Sequence, residues 1–298
     1  MTIPNQTLNL WSHAYSAEAP KQTQMAIREA LDTYEDWLPG TIYEVFLQGS
    51  YKNDTNLRQD SDVDVVVRLD TNIQPKIASL TGSELEENEA HKIAHGKWKS
   101  FRAQVFKALT SVYDADVTTG RKTITLKKGK LQASADVVVT IQCGDGIAIY
   151  IPDEHRWAVS YPKQRYKHGV SKEEATQSRY KRTIRMFKAA RKQLVKSHLI
   201  KSGLASSYYI ECLMSNVPDR LFKVGLGDTY QGIVKYLSTA DLRQFKSQNG
   251  FGELFGIEPD LWNIDDAQRF IKALGQFWDN WSLNQKVRTS LSLVKKGS

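Results

Sequence analysis

The spacing of apolar positions changes near the middle of the chain, from alternation mixed with helical repeats to helical repeats alone. Over 20–38, Ile27, Ala30, Leu31, Tyr34, Trp37 and Leu38 recur at helical spacing, and Pro39-Gly40 ends the run, so a helix is expected there. Residues 42–47 alternate as a strand does, 48–59 read as a polar loop opened by Gly49-Ser50, and 62–69 form a β-branched strand. After a polar, acidic stretch over 72–90, Trp98, Phe101, Val105, Phe106 and Leu109 line one face of a helix predicted over 86–110. Four strands are expected next, over 112–117, 122–126, 132–142 and 147–151, separated by Gly120, Gly129-Lys130 and Gly144-Asp145-Gly146.

Beyond Pro162 the strand pattern stops. Ser171-Lys172-Glu173-Glu174 has capping-box spacing, and Tyr180, Ile184, Phe187, Leu194 and Leu199 then predict the buried stripe of one long helix. Further helices are expected near 204–216, 228–247 and 264–283, and the Ser-rich tail is expected to fray. The fold class is therefore α+β. A mixed-sheet lobe with an amino-terminal helix occupies 1–165, and a helical lobe occupies 166–298, with the cleft between them the expected ligand site.

Composition narrows the partners. The 298 residues are 41% hydrophobic, enough for a proper core, and carry a net charge of +8, which favours anionic ligands without choosing among nucleotides, nucleic acid and acidic lipid. Two cysteines, Cys143 and Cys212, speak against a disulfide scaffold or a cysteine-rich zinc site and suit a reducing cytosol. No secretory pattern opens the chain, and no run approaches the roughly 18 apolar residues of a membrane span, so a cytoplasmic protein without a membrane partner is expected.

Candidate chemistry centres on Asp62 and Asp64. Strand side chains alternate faces, so two aspartates flanking one valine project together. At 4 Å two carboxylates repel by about 4 kcal/mol at an effective dielectric of 20, a cost that a divalent cation between them removes. Oxygen-only ligation completed by phosphates is the habit of Mg²⁺. Gly49-Ser50 lets a phosphate approach the backbone and offers it a hydroxyl, and Asp136, entering the apolar strand 135–140, is costly to bury unless paired or metal-bound. Each has a plainer alternative: a solvated pair, an ordinary turn, an edge aspartate. Together they point to phosphoryl or nucleotidyl transfer with two Mg²⁺, for which Mn²⁺ is a possible substitute. Lys181, Arg185, Lys188, Lys192 and Lys196 share one face of the long helix and form either a positive rail or a solvated basic surface. His91 and His95 have zinc spacing but no further soft ligand nearby. Trp262, Trp278 and Trp281 fall in helical patterns and read as core.

The runs Gln48-Gly49-Ser50-Tyr51, Ser61-Asp62-Val63-Asp64-Val65-Val66-Val67, Ala135-Asp136-Val137-Val138 and Val159-Ser160-Tyr161-Pro162-Lys163-Gln164 resemble the polymerase-β-like nucleotidyltransferase superfamily. With the basic helix around Ser178-Arg179-Tyr180-Lys181-Arg182 and Arg185-Met186-Phe187-Lys188, then Leu204-Ala205-Ser206-Ser207-Tyr208-Tyr209-Ile210-Glu211, the chain is similar over roughly 20–290 to the CD-NTases. These are relatives of cyclic GMP-AMP synthase and oligoadenylate synthase that serve bacterial anti-phage signalling of the CBASS type, and the clade indicated is the CdnE-like one. The resemblance implies a polymerase-β-like core followed by a helical lobe, an Mg²⁺-dependent synthase of a cyclic dinucleotide second messenger, and a separate effector protein that reads the product. By position it implies that Gln48, Gly49 and Ser50 hold the donor nucleotide, that Asp62, Asp64 and Asp136 bind the metals, that Lys188 and Ser207 grip the β- and γ-phosphates, and that Tyr208 stacks on the donor base. Ser160 matches a position where asparagine favours uracil, and serine there implies purines, hence ATP and GTP or ATP alone. A monomer is expected, and no nucleic acid is expected to be required, since the zinc-bearing insertion through which the animal enzyme senses DNA is missing. Two alternatives remain at this level: a template-independent RNA-tailing nucleotidyltransferase, and a catalytically silent nucleic-acid-binding module.

Overall fold

The computed structural model describes residues 2–14, 16, 18–57, 62–258 and 260–281. Ser61, the end of the 48–59 loop and the Ser-rich tail lie outside them. In chain order the elements are α1 (Asn5–Ser12), α2 (Glu18–Asp32), β1 (Tyr43–Leu47), α3 (Gly49–Asn53), β2 (Val63–Asn72), α4 (Pro75–Ala78), α5 (Gly82–Glu87), α6 (Glu89–Tyr113), β3 (Val117–Thr119), β4 (Ile124–Leu126), β5 (Ala135–Cys143), β6 (Gly146–Ile151) and β7 (Arg156–Ser160). Then follow α7 (Pro162–Ala175), α8 (Tyr180–Lys196), α9 (Ser207–Ser215), α10 (Leu226–Thr239) and α11 (Ile264–Asp279). Two compact units result, one of residues 15–164 and one of 1–14 with 165–298. The split differs from the expected boundary at the amino end: Leu8 and Trp11 are buried, and Trp11 stacks on Phe277 with 6.4 Å between ring centroids, which takes α1 into the helical unit.

In the sheet unit the strands run β1-β2-β5-β4-β3, with β6 also on β5 and β7 on β6. β2 and β5 are parallel, while the other pairs are antiparallel. One face is wholly apolar: Val63, Val65 and Val67 of β2 and Val137, Val139 and Ile141 of β5 pack with Ile27 and Leu31 of α2 and Phe101, Val105 and Leu109 of α6. This follows from strict alternation in β2 and β5, which leaves Asp64, Arg68, Asp136 and Thr140 on the opposite face.

Several boundaries differ from expectation. The first helix stops at Asp32, and the Trp37 indole then donates to the Leu31 carbonyl (3.1 Å). The 112–117 strand is instead the end of α6 as far as Tyr113, because Val105, Leu109 and Tyr113 continue one helical stripe. A new helix starts at Glu89, where the Asn88 side chain accepts from the His91 amide. Part of the polar loop is the turn α3, with Tyr51 buried. α1 and β7 were not expected from the sequence pattern, the first because only Leu8 and Trp11 mark its buried side.

The long helix expected from Ser171 is two helices. Gln177 and Ser178 take positive φ values of 51° and 62°, which breaks the chain between α7 and α8. Ser171 and Glu174 lie inside α7 rather than starting a helix, and Glu173 accepts from the Lys181 amide at the start of α8 (2.8 Å). The basic rail is also corrected: α8 is buried all round from Thr183 to Ala190, Arg185 and Lys188 included, and only Lys192 and Lys196 of the five are exposed. Trp262, Trp278 and Trp281 are core, and both cysteines are buried and free. Among the described residues no helix is long and apolar enough to cross a membrane.

Candidate active site

Parallel register sets Asp64 directly beside Asp136 on adjacent strands, both half-buried on the same face. The Thr125 hydroxyl donates to Asp136 Oδ1 at 2.7 Å, which fixes that carboxylate from β4. Asp62 precedes β2, is exposed, and accepts a hydrogen bond from the Ser134 hydroxyl. The structure thus pairs Asp64 with Asp136 and turns Asp62 towards Ser134. Among the described residues no three His, Cys, Asp or Glu side chains are grouped closely enough to hold a metal ion as they stand. The donor chemistry fits a hard divalent cation: three carboxylates and no nitrogen or sulfur, carried by neighbouring segments on a polar face.

Gly49 sits under this pair. The Gln48 amide donates to the Asp64 carbonyl (3.0 Å), so the chain enters α3 against β2, and Gly49 has φ +71°. A Cβ there would stand 1.8 Å from Asp64 Oδ2. Gly49→Ala is expected to rotate Asp64 away and cut pyrophosphate release about a hundredfold, the usual cost of a 1 Å misplacement. Thermal stability should fall only by the cost of left-handed backbone, about 1–2 kcal/mol. Activity within threefold of the parent would show that the close approach is irrelevant to turnover.

Further along the same face, the Thr140 hydroxyl and Gln142 Oε1 are buried without a hydrogen-bond partner among the described residues. Gln142 pairs with Ile147, and Ile147 with Ser160, so Ser160 shares this face from β7 and is half-buried. Buried polar atoms without a partner are the exception in folded proteins, so these two are open to a water or a bound molecule.

In the helical unit, the Lys188 ammonium is 2% exposed and bonded to Glu211, which also accepts from Arg165. Glu211 is itself 1% exposed, yet its two cations hold its carboxyl down at about 2 against the opposing effect of burial. Burial draws Lys188 the other way, towards its neutral form, with Glu211 opposing. Arg165 also lies over the Tyr208 ring, 4.8 Å from its centroid. Tyr209 stacks on Trp262 (5.1 Å, 2°), and its ring also meets that of Tyr208 at 5.8 Å between centroids. Ser207 is exposed at the first turn of α9, capped by Ser206 accepting from the Tyr209 amide. Glu211, the anion that Lys188 shares with Arg165, was missed. The available signal was an acidic residue in the otherwise apolar helix Ser207–Ser215.

An α+β core with carboxylates paired across parallel strands beside a glycine turn, followed by a helical unit, fits a nucleotidyltransferase, and similarity to known proteins shows that class. Residues 25–107 match the model of the nucleotidyltransferase domain, and 167–279 match that of the cGAS/DncV-like nucleotidyltransferase C-terminal helical domain. The cyclic UMP-AMP synthase of Rhodothermus marinus is 40% identical, covering 94% of this chain and 99% of the relative. The cyclic dipurine nucleotide synthase of Elizabethkingia meningoseptica is 32% identical over 76% of this chain and 80% of its own length. The structure of R. marinus CdnE c-UMP-AMP synthase with Apcpp and Upnpp superposes with a TM-score of 0.81 at 39% identity, covering 94% of this chain and 97% of that one. The chain belongs to the CD-NTases, in the CdnE clade, and is a cyclic dinucleotide synthase that uses nucleoside triphosphates. Membership sets aside the RNA-tailing and silent-module alternatives. The similarity to a cyclic UMP-AMP synthase leaves the purine expectation unsupported by that relative.

Proposed function

We propose that the chain joins two purine ribonucleotides, ATP with GTP or ATP alone, into a cyclic dinucleotide that serves as a second messenger in anti-phage defence, read by a separate effector. The observation that carries the choice of bases is Ser160, half-buried on the face that also holds Gln142 and Asp136. A hydroxyl donates or accepts one bond as required, whereas an asparagine amide offers a fixed donor and acceptor to a pyrimidine edge. A second reading, a mixed pyrimidine-purine product, is favoured by the 40% identity to a cyclic UMP-AMP synthase.

Asp62, Asp64 and Asp136 would hold two Mg²⁺, or Mn²⁺ in their place. When bound, such ions supply charge stabilisation at the α-phosphate and a more acidic acceptor hydroxyl. Gln48, Gly49 and Ser50 hold the donor triphosphate, the glycine by close backbone approach and the serine by its hydroxyl. Ser207 is assigned the β- and γ-phosphates and Tyr208 the donor base, while Lys188, buried and bonded to Glu211, would have to leave that pair to reach a phosphate. Asp136, oriented by Thr125, would take the proton of the acceptor's 2′- or 3′-hydroxyl as that oxygen attacks the α-phosphorus and pyrophosphate departs in line. The linear product then turns over, and a second transfer closes the ring.

Mass spectrometry of products made from all four ribonucleoside triphosphates with Mg²⁺ tests both readings. The parent protein is expected to give a cyclic dipurine, and Ser160→Asn to shift use towards UTP about tenfold, the scale on which a single polar contact discriminates when alternatives can still pair. A uracil-containing product from the parent would overturn the purine assignment, while a lack of any cyclic product would overturn the activity.

A further inference from the structure

On the other face of the sheet, α6 and β6 enclose a recess of about 540 Å³, within the size range of small-molecule sites. Its walls are flat rings. His95 and Trp98 are stacked at 5.8 Å, and Tyr150 lies 4.1 Å from the first and 5.2 Å from the second, with Phe106 beside them. The wall is held rigid from behind: the Trp98 indole donates to the Val139 carbonyl (2.9 Å) in the strand that carries Asp136, and the Trp157 indole donates to His91 Nδ1 (3.0 Å). Trp98 and Tyr150 belong to the apolar core that faces away from the aspartates, so the recess is not part of the candidate active site.

Among the described residues, two cations line it without an acidic partner. Lys99 is exposed and makes no ion pair there, and Arg102, 5.9 Å above the Trp98 ring, donates to the Gly120 carbonyl at 3.0 Å. Of the nearby acids, Asp153 is matched with Arg121 and Glu154 with Arg156, while Glu86 acts on Tyr150 from the side of His91. Stacked rings with unneutralised cations at the edge suit a ligand that is flat and negatively charged. We propose that this recess is a second binding site, for a planar aromatic anion of nucleotide size or smaller.

The probe is 8-anilinonaphthalene-1-sulfonate, titrated against the full-length protein and followed by its fluorescence. Saturable binding is expected. It should weaken at least tenfold in Ala103→Trp, which fills the recess from an exposed position, and in Lys99→Glu, which reverses the charge at its edge, with unchanged circular dichroism and melting in both. N-phenyl-1-naphthylamine, the same rings without the sulfonate, should bind at least tenfold more weakly than the sulfonate. Displacement of the dye by AMP would make the occupant a nucleotide, and displacement by 2-naphthoate alone would make it another aromatic acid. Parental affinity in both variants, equal affinity for the uncharged analogue, or displacement by neither competitor would overturn the proposal.

Discussion

Asp64→Asn and Asp136→Asn are each expected to reduce pyrophosphate release at least a thousandfold, about 4 kcal/mol of barrier, without loss of folding stability. Strand register holds the two carboxylates side by side, a strand spacing of roughly 4.8 Å apart, and Thr125 steadies one of them. Asparagine keeps the shape and the hydrogen bond from Thr125 but removes a charge. Because like charges at this separation repel in the folded protein, the thermal midpoint should stay level or rise. A nucleotidyl transfer site built on these residues thus predicts opposite directions for activity and stability. Turnover within tenfold of the parent in either variant, measured by coupled pyrophosphate detection, would place the chemistry elsewhere. A midpoint lowered by several degrees would show that the pair is structural.

Glu211→Gln should destabilise the fold more than Gly49→Ala or either aspartate substitution. It removes the anion bonded to Lys188, whose side chain is 2% exposed, and to Arg165, whose side chain is 19% exposed, and loss of one partner from a buried ion pair costs about 3–5 kcal/mol. Urea denaturation is the measurement, and Lys188→Met provides the contrast. That change removes a buried charge together with its desolvation and leaves the Arg165–Glu211 pair, so its cost should be distinctly smaller. The same arrangement fixes a pH dependence. The carboxyl's folded value, about 2, lies below its ordinary 4.5, so the stabilisation from ionised Glu211 is complete above pH 4.5 and disappears as pH falls through about 2. Glu211→Gln should flatten this acid limb. A loss below about 1 kcal/mol, or an unchanged acid limb, would show that the cations find other partners.

The sheet lobe was legible because its strands obey a two-residue period. Valines at 63, 65 and 67 and at 137 and 139 declare one buried face, and Asp64 and Asp136 are then forced to the other. The alternation cannot reveal that β2 and β5 lie adjacent and in register, which rests on contacts distant in sequence. Where apolar residues fit two patterns the reading failed: Val112 and Tyr113 suit a strand or the last turn of a helix, and only packing on Leu109 and Val105 decides. The α7–α8 break was hidden because Gln177 and Ser178 take positive φ with neither glycine nor proline to mark it. In α8 helical periodicity set lysine and arginine on one face, as a positive rail or a solvated surface, with no means of showing that Glu211, on another helix, holds Lys188 inside and also binds Arg165 of α7. Charge pairing of this kind leaves no period in either segment.

The parallel contact between β2 and β5 also sets when the acidic pair can form. The hairpins β3–β4 and β6–β7 close over short connections, but Asp64 and Asp136 meet only after the whole intervening stretch, α6 included, has been synthesised and folded back. Long loop closure is entropically costly and slow relative to local pairing. A nascent or truncated chain ending before β5 therefore holds half of the acidic pair, which makes the meeting of the two carboxylates a late event in biogenesis.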